Sequence, residues 1–161
     1  MESQWDVELA EFLNELSATQ EELLLVLGEK RQLLAKADVD GMKAMQPREQ
    51  ELAGRLQACH ERRGSLLNRA AEQGRPADSI RSLAASLPHA QQTGLAVQVQ
   101  HCSGRARLLA HHSLTNWVLV QRTLLHLSQL IEIIATGGRR KPTYGKGEDT
   151  NSTGALVDQA A

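Results

Sequence analysis

Residues 113–134 read SLTNWVLVQRTLLHLSQLIEII, a stretch too apolar for a helix that meets only one neighbour. On a helical wheel at about 100° per residue, Trp117, Val120, Leu124, Leu127, Leu130, Ile131 and Ile134 form one broad apolar stripe. Leu114, Val118, Leu125 and Ile133 form a second lane elsewhere on the circumference. A small helical bundle can bury the first lane. The second then needs another cover, and a large exposed apolar patch commonly marks self-association or partner binding. The stretch is followed by TGGRRKPTYGKGEDTNSTG, which has no apolar period and the composition of a disordered segment. Residues 1–136 are therefore expected to form a helical domain and residues 137–161 a flexible C-terminal tail.

Moving outward, the same helical period recurs. Trp5 to Lys36 places Leu9, Leu13, Leu16, Leu23, Leu27 and Leu34 at three-, four- and seven-residue steps, which predicts a helix roughly 48 Å long at 1.5 Å per residue. Ala37 to Gly41, ADVDG, supplies turn formers and an N-cap, so the first reversal is expected there. From Val39 to Gln73, the positions Met42, Met45, Glu49, Leu52, Leu56, Cys59, Arg63, Leu66 and Ala70 alternate by three and four, a heptad seam. Glu49 and Arg63 are polar intrusions in it, Gly54 and Gly64 each cost about 1 kcal/mol relative to alanine, and Pro47 is expected to kink or restart the helix. Asp78 is the expected N-cap of a short helix carrying Ile80, Leu83 and Leu87. A last long helix is expected from about Gln91 to Ala135. Its seam is Val99, Cys102, Ala106, Leu109, Ser113, Asn116, Val120, Thr123, Leu127, Leu130 and Ile134, with Gly94 and Gly104 weakening its first third and Gly137-Gly138 stopping it. The fold class is all-α: an elongated antiparallel helical hairpin or bundle with a long C-terminal helix and a disordered tail.

The composition agrees. With 161 residues and four aromatic side chains (Trp5, Phe12, Trp117 and Tyr144), the chain suits long helices joined by aliphatic seams. Its net charge of −1 argues against a protein built to coat nucleic acid. The charge is divided unevenly: Met1 to Asp40 holds ten acidic and three basic residues, and Gly41 to Pro76 holds four acidic and seven basic. Two such helices attract when packed antiparallel. Cys59 and Cys102 read as reduced core thiols, with no CxxC and no secretory signal. Arg122, His126, Gln129 and Glu132 interrupt the most hydrophobic stretch, so membrane insertion is not expected. The chain reads as cytoplasmic.

Catalytic and cofactor chemistry finds no foothold. His111 and His112 are adjacent and point about 100° apart on a helix, so they cannot ligate one ion as an i, i+4 pair could. There is no HExxH or ExxH, and His60, His89, His101 and His126 read as solvated or interfacial. No GxSxG, phosphate-binding loop or dinucleotide fingerprint is present. Glu21 and Glu22 read as a surface pair on an acidic helix face. No catalytic residue, metal site or cofactor is expected, and the chain is read as non-enzymatic. Asn116 in the last seam can fix helix register or turn to water. Arg139-Arg140-Lys141 can favour a helix C-terminus or contact nucleic acid or membrane.

An acidic first helix, a heptad hairpin turning at an Asp, a leucine-rich last helix and a TYG segment before a polar tail together resemble the FlgN family of flagellar type III export chaperones. The likeness is strongest in LTNWVLVQRTLLHLSQLIEIIATGGRRKPTYGKG. The resemblance implies a cytoplasmic chaperone that binds hook–filament junction proteins of the FlgK and FlgL type and delivers them to an FlhA-like export gate protein. Carried over, the client-binding helix maps to Trp117, Val120, Leu124, Leu127, Leu130, Ile131 and Ile134, and the gate-docking tyrosine to Tyr144. The residues alone leave an alternative open: a structural coiled-coil adaptor whose second lane is buried by homodimerisation. A nucleic-acid accessory protein using the basic tail is a third reading.

Overall fold

The computed structural model describes residues 4–88 and 94–137. Four helices follow in order: α1 (Gln4–Ala35), α2 (Val39–Glu72), α3 (Ile80–Ala85) and α4 (Leu95–Thr136), with no strand among the described residues. The chain divides into two units, Met1–Trp117 and Val118–Ala161, and the boundary falls within α4. The tail from residue 138 onward, with Arg139-Arg140-Lys141 and Tyr144, lies outside the described residues, as do residues 89–93.

The first reversal falls at the expected place. Ala37 takes φ 52°, and the amide of Asp38 donates to the Leu33 carbonyl (3.0 Å) while that of Ala37 donates to Leu34 (3.2 Å), a Schellman closure of α1. Asp38 then caps α2, its Oδ1 accepting from the Gly41 amide at 2.9 Å. A Cβ at Gly41 would come within 2.7 Å of Asp38 Oδ2 and 2.8 Å of Leu33 Cδ2, so a larger residue there would push these two side-chain ends aside. Pro47 does not restart the helix: α2 runs unbroken through it.

The two helices are joined by charge in a regular pattern. Glu8, Glu15, Glu22 and Glu29 stand seven residues apart, as do Arg48, Arg55, Arg62 and Arg69, and they pair in antiparallel order. Glu8–Arg69 is 2.9 Å, Glu15–Arg62 2.8 Å, Glu22–Arg55 2.9 Å and Glu29–Arg48 3.4 Å. Arg62 also reaches Glu11 (3.3 Å). The Arg69 guanidinium, hydrogen-bonded to Glu8, holds that carboxyl below its ordinary pKa. Glu49, which looked like a defect in the α2 seam, pairs with Lys30 at 2.7 Å. Arg63 is exposed and Leu56 lies at the exposed margin, so the seam narrows to Leu52, Cys59, Leu66 and Ala70.

A second Schellman closure at Gly74 (φ 68°) ends α2, with Arg75 donating to Ala70 (2.9 Å). The N-cap of α3 is Ser79 rather than Asp78. The Ser79 and Ser82 side chains form a reciprocal capping box, and Asp78 instead accepts from the Ser82 hydroxyl at 2.7 Å, which lowers its pKa. An aspartate one residue early can bond a serine hydroxyl, but Ser79 has the extended backbone that a cap needs.

The core gathers where the start of α1, the end of α2, α3 and the start of α4 meet. Trp5, Leu9, Phe12, Leu66, Ala70, Ile80, Leu83, Leu87, Leu95 and Val99 belong to it. The Trp5 indole donates to Gln73 Oε1 (2.9 Å), and Arg69 stacks 4.9 Å from its ring centre. Cys59 and Cys102 are buried free thiols whose pKa values burial pushes up, which leaves them unreactive.

Reversing one rung of the ladder tests its part in pairing the helices. Arg62→Glu is expected to lower Tm by a few degrees, as like charges then face each other. Adding Glu15→Arg should recover part of the loss, and a thermal double-mutant cycle reads the coupling.

Candidate client-binding surface

The first half of α4 lies parallel to α1, joined by bonds from Leu13 to Leu27 on α1 and from Cys102 to Asn116 on α4. Cys102 Sγ sits 3.7 Å from the Leu13 carbonyl. Gln20 Nε2 donates to the Cys102 carbonyl at 3.1 Å. Arg105 bonds Ser17 and Glu21, and Asn116 Nδ2 donates to the Leu27 carbonyl at 2.9 Å. Cys102 to Leu13 and Asn116 to Leu27 are equivalent reaches two heptads apart.

Asn116 is the last buried side chain of α4, 4% exposed. Its amide oxygen faces Arg31 Nε at 3.5 Å, and Arg31 Nη2 lies 2.8 Å from His112 Nδ1. A guanidinium only donates, so that ring nitrogen accepts. Of the two options open in the sequence, Asn116 takes the buried, register-fixing one. The seam is nonetheless thinner than its spacing suggested: Ala106 and Ser113 are exposed, Leu109 is half-buried, and only Leu95, Val99, Cys102 and Asn116 are buried. Gly94 at φ 68° lies outside the helix, which starts at Leu95 rather than near Gln91.

Beyond Asn116 the expectation that the bundle covers the first lane fails. Trp117 (59% exposed), Leu124, Leu127, Leu130, Ile131 and Ile134 (71%) are all exposed, and Val120 is half-buried. Leu114, Leu125 (61%) and Ile133 on the second lane are exposed as well. The apolar period of α4 continues past the last residue of α4 that is buried. Every described residue from Gln121 to Thr136 is exposed, so the helix presents two lanes where one was expected. An 18-residue window of α4 also reaches mean hydropathy 1.3 with none of it buried, so by length and composition the helix is long and apolar enough to cross a membrane. The sequence reading missed this by looking for an unbroken apolar run. Arg122, His126, Gln129 and Glu132 interrupt the run, but the leucine, isoleucine and valine residues around them keep its average high.

The family model for FlgN protein matches residues 1–152. This chain belongs to the FlgN family. FlgN proteins are flagellar export chaperones, soluble and cytoplasmic, that bind export substrates, and membership supports a flagellar export chaperone role here. It is a chaperone family, not an enzymatic one. No curated protein and no solved structure matches the chain. Among the described residues, no group of three His, Cys, Asp or Glu side chains could hold a metal ion. The residues that sequence reading missed are Arg31 and His112, which complete the polar clasp at Asn116. Their signal was the spacing from Leu27 to Arg31 and from His112 to Asn116, one helical turn in each case.

Asn116→Ala removes a buried amide that meets two partners on α1. It is expected to cost about 1–3 kcal/mol, read by urea unfolding. Trp117→Ala, on the exposed side of the next residue, is expected to stay within about 0.5 kcal/mol of wild type.

Proposed function

We propose that this protein is a cytoplasmic chaperone for hook–filament junction proteins of the FlgK and FlgL type. It binds them through Trp117, Val120, Leu124, Leu127, Leu130, Ile131 and Ile134 and delivers them to an FlhA-like export gate through Tyr144. The observation that carries the reading is the open half of α4: a regular apolar stripe, in a FlgN-family chain, left exposed among the described residues. Such a stripe, with anchors at three- and four-residue steps, suits helix-in-groove recognition of an amphipathic client. Residues 1–136 are the chaperone domain in this proposal, and residues 137–161 form the segment that presents Tyr144. A lone tyrosine in a polar segment has no core of its own to fill, yet offers a large contact area to a pocket.

Co-expression pulldown with the FlgK- and FlgL-type proteins of the same genome tests the client assignment. Leu124→Asp with Leu127→Asp is expected to abolish capture, since a carboxylate buried without a partner costs several kcal/mol. Both positions are exposed in the free chain, so thermal melts should match wild type. Retained capture by the folded double variant overturns the assigned surface.

Delivery is tested separately. Tyr144→Ala is expected to leave folding and client binding unchanged, to weaken docking of the loaded complex on an FlhA-like cytoplasmic domain, and to lower export. Wild-type docking by this variant, or loss of client affinity, overturns the proposed division between holding and delivering.

A further inference from the structure

We propose that the cleft between α3 and the first half of α4 is a docking site for an acidic segment of a partner protein, with Arg81 and Arg107 taking its carboxylates. The cleft has a volume of about 480 Å³, within the range of roughly 300–1,000 Å³ typical of binding pockets. Buried Ala84 and Val99 line it together with exposed Ala85 and Ala96, and Arg81 and Arg107 are the only charged residues among the described residues that line it. None of these residues belongs to the proposed client-binding stripe, so this site is separate from that reading and does not rest on it.

Charge identifies the occupant. Arg48, Arg55, Arg62, Arg69 and Arg105 each bond a glutamate of α1, whereas Arg81 and Arg107 have no carboxylate or other hydrogen-bonding partner among the described residues. The sequence shows why. Residues 79–131 contain no aspartate or glutamate, so neither arginine can be neutralised from its own helix, and Asp78, just before α3, is bonded to the Ser82 hydroxyl. Two guanidiniums lining one cleft favour an anion between them, and a carboxylate matches the guanidinium fork with two parallel hydrogen bonds. The alanine and valine lining adds a second requirement: the occupant must bring small apolar side chains beside its acids. An acidic, alanine- or leucine-bearing protein segment meets both. A nucleic acid meets only the first, and a chain of net charge −1 lacks the basic excess that coats a phosphate backbone. Recognition of anionic lipid draws on clusters of about four to eight basic residues, more than this cleft offers.

The probe is a fluorescein-labelled, alanine- and leucine-based peptide bearing two glutamates, titrated by anisotropy against the full chain beside the same peptide with glutamine in their place. Saturable binding of the acidic peptide alone is expected, weakening as salt is added. Arg81→Gln and Arg107→Gln are each expected to weaken it about tenfold, as loss of a charge-assisted hydrogen bond would. Arg122→Gln, on α4 outside the cleft, should bind as wild type, and Arg81→Lys, which keeps the charge but loses the fork, should fall between. Both cleft arginines are exposed, so melts of every variant should match wild type. Amide shifts of Ala84, Ala96 and Val99 are expected to move on titration, and to stay still in the variant lacking both arginines. Capture of FlgK- and FlgL-type proteins by that double variant should be unchanged. Absence of saturable binding, equal binding of the glutamine peptide, or full binding by the folded double variant overturns the proposal. Tighter binding of a short single-stranded RNA or of phosphatidylglycerol vesicles through Arg81 and Arg107 assigns the cleft to phosphate and overturns it as well.

Discussion

The charge ladder between α1 and α2 is the constraint on which the rest of the structure depends. Four glutamates and four arginines, each set spaced by seven, pair in antiparallel order from Glu8–Arg69 to Glu29–Arg48. Exposed pairs of this kind contribute little stability individually, yet together they select a register. A slip by one heptad would leave an unpaired carboxylate at one end and an unpaired guanidinium at the other. Once the register is set, Trp5 comes beside Gln73 and under Arg69 at one end, and Lys30 comes beside Glu49 near the other.

The two ends of this hairpin are held by different means. At the Trp5 end, α3 and the start of α4 close an apolar core of large side chains. Toward the turn the buried apolar residues thin to Leu52 and Val26, and α4 is tied to α1 by Asn116, Arg31 and His112 instead. A hydrophobic contact there would tolerate sliding, because one leucine replaces another with little penalty. An amide bonded to one backbone carbonyl does not. The polar clasp therefore defines where the packed part of α4 stops.

Much of this was legible in the sequence. The all-α class, the limits of α1 and α2, the turn at Ala37–Gly41 and the attraction between an acidic and a basic helix follow from periodicity and charge counts, which are local properties. The ladder was legible too but was read only as a charge imbalance, because its content lies in two matching seven-residue spacings on different helices. What was not legible was how far the seam of α4 would be covered. The repeat from Val99 to Ile134 continues without a break, and periodicity reports only that a face is apolar, not that a neighbour meets it. The Asp78 cap was misplaced for a similar reason: aspartate and serine are both good caps, and backbone geometry at Ser79 decided between them. For the candidate surface, sequence supplied the lanes, and the structure added that both are open.

An open apolar helix raises a question of energetics, since an isolated helix of about twenty residues is marginal in water because its first turn is costly to nucleate. The open half of α4 avoids that cost. It continues from a packed half whose geometry is already set by Cys102, Arg105 and Asn116, so each added residue needs only propagation. Leucine-rich composition with no glycine or proline between Ser113 and Thr136 favours that propagation. The proposed binding surface can then exist in helical form before any partner arrives, and a partner need not supply the ordering of this helix from its own binding energy. The packed half of α4 thus serves the open half as a template, and the buried asparagine marks the point where one passes into the other.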